Sequence, residues 1–215
     1  MNAILLASIL GLGAAVAAQG QTPPTPSPAP AAAVPATPSP KAKPRVRIDT
    51  SYGPIVVELE PDLAPRTVAN FLRYVDEGFY ADTIFHRVVE GFMIQGGGLT
   101  ADLSEKPNHG DIPNEAEATA KAGLLNTPGT IAMARTDNPN SASAQFYINT
   151  ADNLPLNHRD NSDSGFGYCA FGRVVSGMEV VDKIQKVRVG WHHGMQNVPD
   201  LTLRIKSAKR LPDQP

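Results

Sequence analysis

The spacing of hydrophobic and polar positions changes along this chain, and each change marks an element. Val46 and Ile48 alternate with Arg45, Arg47 and Asp49, the period of a half-buried strand. Tyr52, Gly53 and Pro54 predict a turn, after which residues 55–59 return as the second arm of a hairpin. The period then lengthens. Val68, Phe71, Leu72 and Val75 fall at i, i+3, i+4 and i+7, a single apolar stripe on a helix that starts at Pro65 and stops before Gly78. Residues 85–98, FHRVVEGFMIQGGG, read as strand and core broken in two by Gly91.

Residues 100–125 are polar and irregular, with only weak helical character over 111–123. Short strands are predicted over 130–134 and 145–149, separated by the turn residues Asp137, Asn138, Pro139 and Asn140. A long loop over 153–165 leads to a strand at 168–175. Met178, Val181 and Ile184 mark a second short amphipathic helix after Gly177, and Leu201, Leu203 and Ile205 alternate as a closing strand. Several short strands with one early and one late helix point to a mainly β, antiparallel barrel.

Upstream of residue 45 the chain is a different material. An apolar run over residues 3–12, followed by Val16, Ala17 and Ala18, suits a secretory signal over 1–18, although its start carries neither Lys nor Arg. The run is too short and too rich in small residues for a bilayer span. Nine prolines fall between Pro23 and Pro44, interleaved with Ala, Thr and Ser. A segment of that composition buries too little apolar surface to offset its ordering entropy, so residues 19–44 are expected to be a disordered tether, or else a ligand for proline-binding modules. The expected organisation is therefore an export signal, this linker, a folded domain over 45–211 and a tail over 212–215. Export to the bacterial periplasm is the first expectation for location, secretion the second.

At 215 residues with 41% hydrophobic content, the chain supports one domain of ordinary size plus appendages. A formal net charge of −2 with no Lys/Arg cluster gives no footprint for nucleic acid or an acidic membrane surface. The lone Cys169 cannot form an intramolecular disulfide and sits in an apolar run as a small hydrophobe. His192 and His193 are adjacent without acidic or cysteine partners nearby, which fits a solvated loop better than a metal site. No metal or cofactor is expected. His86 reads as a packed, hydrogen-bonded histidine. Arg87 and Gln95 are the odd members of the 85–98 run. They are either the wet side of a half-buried strand or polar groups held for a purpose.

Three stretches weigh on that choice: FHRV…GFMIQGG from Phe85, GTIAMAR from Gly129 and QFYI from Gln145. Together they resemble the cyclophilins, the peptidyl-prolyl cis/trans isomerases, and in particular the bacterial exported type, over about residues 46–209. The resemblance implies a closed eight-stranded antiparallel barrel with an α-helix over each open end. It also implies rotation about Xaa-Pro bonds, with Arg87 as the donor to the twisted amide. Gln95 would be the neighbouring amide, and Phe92, also assigned to the catalytic group, would wall the proline pocket with Met93, Tyr147 and Leu156. Ala134 and Arg135 would offer backbone groups to the peptide and Gln145 a side-chain amide, while Tyr168 would stand where eukaryotic members often have histidine, its phenol still able to donate a hydrogen bond and pack against a ring.

Departures from the family pattern are equally specific. Tyr147 stands where phenylalanine is usual, and Gly98 replaces a common acidic residue, with a looser following loop as the expected result. Leu154-Pro155-Leu156 carries no tryptophan where cyclosporin-sensitive relatives have one, so weak cyclosporin binding is expected. The expected partners are proline-containing polypeptides, with the chain acting as a monomer. The rival reading is a proline-peptide-binding or holdase module with little turnover.

Overall fold

The computed structural model describes residues 43–212. The expected export segment, most of the linker and the last three residues lie outside the described residues. Strands β1 (Arg45–Thr50) and β2 (Gly53–Leu59) form the predicted hairpin, with Thr50 paired to Gly53 across a two-residue turn. Gly53 has φ of 130°, outside the range that a residue with a Cβ adopts easily. Val46, Ile48, Ile55, Val57 and Leu59 all point into the core, as their spacing requires.

Helix α1 (Pro65–Asp76) buries the predicted stripe of Val68, Phe71, Leu72 and Val75. Its Phe71 ring lies 5.2–5.7 Å from the rings of Phe171, Tyr80 and Phe146, at the centre of an aromatic cluster. Ala64 has no side chain to cap the helix, so the first free N–H groups need another acceptor. Glu115, far along the chain, supplies it: its carboxylate accepts from the N–H of Arg66 at 3.1 Å, the N–H of Thr67 at 2.8 Å and the Thr67 hydroxyl at 2.7 Å. A negative charge at that end also complements the helix dipole.

The remaining strands are β3 (Phe85–Val89), β4 (Met93–Gly96), β5 (Thr130–Met133), β6 (Phe146–Asn149), β7 (Ala170–Ser176), β8 (Val189–His192), β9 (Met195–Pro199) and β10 (Ile205–Arg210). Eight of the ten strands form one antiparallel sheet in the order β10-β1-β2-β7-β5-β6-β4-β3. This sheet is a curled half-barrel and not the closed barrel expected. The edge strands β3 and β10 share no ladder. Only the chain around the start of β3 joins the approach to β10, through one isolated bridge, Ile84 to Arg204, and bonds such as Phe85 N–H to the Leu203 carbonyl at 2.9 Å. Along the rest of β3 its neighbour is β9, part of a separate β8–β9 hairpin.

That hairpin is a second correction, since His192 and His193 were expected in a solvated loop. His192 lies in a strand and pairs with Asp200 at 2.9 Å. Leu201 is 69% exposed, and the closing strand starts four residues later than its alternation implied, at Ile205. A third helix joins the two expected. Besides α3 (Met178–Gln185), which buries Val180, Val181 and Ile184 behind Gly177, a short α2 (Ala116–Lys121) follows Glu115. No helix of the described residues is long and apolar enough to cross a membrane.

Candidate active site

The sheet has two apolar faces. Its concave side encloses the main core, which includes Phe85, Val88, Ile94, Ile131, Phe146, Ile148 and Phe171. Alternate residues of the same strands face outward and build a second, smaller apolar cluster from Met93, Leu124, Ala132, Tyr147 and Ala170. Phe92, Ala134, Leu156 and Tyr168 pack against this cluster half-buried. Six of the residues singled out from the sequence therefore meet on one outer face.

Register explains the meeting. Arg87 on β3 pairs with Gln95 on β4, Gln95 with Tyr147 on β6, Tyr147 with Ala132 on β5, and Ala132 with Ala170 on β7. One row of outward side chains thus crosses five strands, polar at the β3 edge and apolar at the other. A bulge at His86 shifts the pairing between Phe85 and Arg87. Phe85 and Val88 remain inward while Arg87 turns outward beside Gln95.

The polar end is a chain of amides. Arg87 Nη1 donates to Gln95 Oε1 at 3.3 Å, and Gln95 Nε2 donates to Gln145 Oε1 at 3.1 Å. Gln145 lies directly over Gly98, where any Cβ would collide with its stem. The absence of a side chain at Gly98 therefore makes room for this amide. No carboxylate pairs with Arg87 among the described residues, so its charge is held by a neutral amide alone. A groove of about 580 Å³ borders one side of the site, lined in part by Gln95, Ala134, Arg135 and Gln145. On the other side a cavity of about 320 Å³ lies between Arg87 and the β9 residues Met195, Gln196 and Asn197.

The side chain of Arg135 has a job the sequence did not show. Its Nε donates to the Gly167 carbonyl at 2.9 Å, Nη1 to those of Thr136 and Asp137, and Nη2 to that of Asp163 at 2.9 Å. The guanidinium also lies over the Tyr168 ring, 4.5 Å from its centroid. Arg135 thus clamps two loops and steadies Tyr168. Tyr147 is buried, its hydroxyl donating to Asn126 Oδ1 at 2.8 Å, and burial pushes the phenol pKa well above its usual value.

Two further titratable groups are held silent. His86 is 7% exposed; burial first and the neighbouring Arg87 charge second lower its pKa to about 4. The packing expected of this histidine is present, but its Nδ1 finds no hydrogen-bond partner among the described residues. Burial pushes the Cys169 thiol up to about 12, which leaves it a packed hydrophobe.

A model of the cyclophilin type peptidyl-prolyl cis-trans isomerases matches residues 45–210. The chain belongs to that family. It is 51% identical to the peptidyl-prolyl cis-trans isomerase cyp18 of Streptomyces antibioticus, over 77% of this chain and 98% of the relative. Identity is also 51% to peptidyl-prolyl cis-trans isomerase B of Escherichia coli, over 75% of this chain and 96% of the relative. A crystal structure of a Cryptosporidium parvum cyclophilin type isomerase, obtained in the presence of the dipeptide Ala-Pro, superimposes with a TM-score of 0.61. At 25% identity, that likeness covers 78% of this chain and 99% of the other.

Three asparagines beneath the apolar cluster were missed by sequence reasoning: Asn126, Asn149 and Asn153, all buried. Only Asn149 left a trace, as a polar residue closing the apolar FYIN strand.

Proposed function

We propose that this chain catalyses cis/trans isomerisation of Xaa-Pro bonds with Arg87 as the group that stabilises the transition state. The observation that carries the reading is Arg87 itself, turned outward by the β3 bulge, held by Gln95 and free of any carboxylate among the described residues. Amide resonance sets a barrier of about 18–20 kcal/mol, and uncatalysed prolyl isomerisation takes tens of seconds. In the twisted transition state the prolyl nitrogen becomes pyramidal and regains its lone pair. An N–H donor near that nitrogen favours the twisted amide over the planar one, which is the requirement for catalysis. A guanidinium keeps its charge at neutral pH and loses no proton in the step.

In this reading the proline ring seats on Phe92, Met93, Tyr147 and Leu156, with Tyr168 closing one side. Gln95 and Gln145 aim Arg87 and bind backbone amide, and Ala134 and Arg135 present backbone groups along the groove. The substrates are flexible or unfolded proline-containing polypeptides. Simple binding needs only the apolar wall; the charge at its edge favours turnover over a holdase. Residues 1–18 support export, with the periplasm as the compartment and a monomer as the working form. The test is acceleration of isomerisation of a short Xaa-Pro peptide by the purified chain. Tight peptide binding without acceleration would leave the holdase in its place.

A further inference from the structure

Besides Met93 on β4, four walls of the apolar patch come from four separate segments. Phe92 is in the β3–β4 turn, Tyr147 in β6, Leu156 in the 3-10 turn Leu154–Leu156, and Tyr168 just ahead of β7. Backbone ladders alone do not fix their mutual positions, because three of the four lie outside strands. Yet all four are tied to one buried set of side-chain amides. Asn126 Oδ1 accepts from the Tyr147 hydroxyl at 2.8 Å and from Asn149 Nδ2 at 3.2 Å. Its Nδ2 donates to the carbonyls of Leu156 at 3.3 Å and Tyr168 at 3.1 Å, and to Asn157 Oδ1 at 3.0 Å. Asn153 Nδ2 donates to the Phe92 carbonyl at 2.8 Å and to Asn149 Oδ1 at 2.7 Å, which joins the fourth wall to the same network.

We propose that Asn126, supported by Asn149 and Asn153, is the positioning residue of the proline pocket, setting its width by holding all four walls from behind. This rests on the isomerase reading above and deepens it. Asn126 is 1% exposed, so each of its polar atoms must be satisfied within the protein. Asparagine alone fits the demand. Aspartate keeps the acceptor but cannot donate to the two carbonyls, leucine keeps the volume with no partners, and glutamine is one methylene too long. The tyrosine at position 147 belongs to the same device. Its hydroxyl reaches Asn126 Oδ1, a bond that the phenylalanine usual in the family would leave unmade.

A buried amide network of this kind rigidifies its surroundings when fully satisfied. Its loss loosens the walls in ground state and transition state alike, since the proline ring stays seated through the rotation. The effect therefore falls on KM rather than on kcat. A purely structural role gives the reverse pattern: fewer folded molecules, each with unchanged KM.

The experiment measures kcat and KM on a short Xaa-Pro peptide, with Kd by direct titration of the same peptide, for Asn126→Ala, Tyr147→Phe and the double variant. Asn126→Ala is expected to raise KM and Kd about tenfold, the size of one or two net hydrogen bonds expressed as binding, with kcat within about twofold. The double variant is expected to match Asn126→Ala alone, because the hydroxyl acts through that amide. If Asn126→Ala does not fold, Asn153→Ala, which frees only the Phe92 carbonyl and Asn149, is expected to show the same KM-weighted loss. Unchanged KM and Kd in the folded variants, or effects of Asn126→Ala and Tyr147→Phe that simply add, would overturn the proposal. Failure of the isomerase reading would show separately, as absent turnover by the wild-type chain with peptide binding still open to titration.

Discussion

Replacing Gly98 with alanine perturbs the amide chain without substituting any of its members. Gly98 has a φ that any residue adopts, so the backbone itself tolerates a Cβ. The obstacle is Gln145. The new Cβ would lie 2.7 Å from its Cδ and 2.8 Å from its Nε2, and closer still to its Cγ. The Gln145 side chain must swing away, which breaks the 3.1 Å bond from Gln95 and leaves Gln95 anchored by Arg87 alone. One net hydrogen bond is worth about 1 kcal/mol, hence roughly a fivefold fall in kcat/KM. Stability should change little, because the lower entropy of an unfolded alanine offsets about 0.4–1 kcal/mol of the strain. The assay is kcat/KM on an Xaa-Pro peptide beside a thermal melt, for Gly98→Ala, Gln145→Ala and the pair. In the Gln145→Ala background, Gly98→Ala should cost nothing further. A fivefold loss that persists there, or no loss in the single variant, refutes the reasoning.

Three other outcomes follow from the structure. Glu115→Ala removes the cap of α1 and should destabilise the fold by about 1–2 kcal/mol, read as a melting temperature lower by several degrees. His86 has a folded pKa of about 4, below the usual 6.5 of histidine, so its neutral form favours the folded state. That contribution, about 3 kcal/mol, is complete above pH 6.5 and is lost as the pH falls toward 4; a His86→Leu variant should lose stability less steeply across that window in urea titrations. Cyclosporin should inhibit weakly, because Leu154 and Pro155 are exposed where an indole would pack and donate. Pro155→Trp should recover up to about thirtyfold in affinity, and tight inhibition of the unmodified chain would contradict this.

What the sequence made legible depended on how local the physics was. The α1 stripe, the first hairpin and the 85–98 strand pair follow from spacing of two or 3.6 and from turn residues, and all three form where expected. The grouping of Phe92, Met93, Tyr147, Leu156 and Tyr168 was legible only through family resemblance, because register between distant strands makes it. Closure of the sheet depends on whether chain segments about 120 residues apart form a full ladder, and no local pattern encodes that. The β8–β9 hairpin was hidden because its residues, VGWH and MQNVP, show no clean alternation. Glu115 and Asn126 act through hydrogen bonds to residues remote in sequence, so neither announces its role.

The central claim is that the Arg87 guanidinium acts on the prolyl nitrogen in the transition state. Isomerisation of a short Xaa-Pro peptide by Arg87→Ala, with circular dichroism and melting in parallel, tests it most directly. Arg87 is half-buried at an edge strand and paired with no carboxylate among the described residues, so the fold should survive the substitution. Loss of one charged donor aimed at the transition state should lower kcat about 10²–10³-fold while peptide affinity, set by the apolar wall, stays nearly constant. A well-folded Arg87→Ala protein with activity within about twofold of wild type would contradict the account.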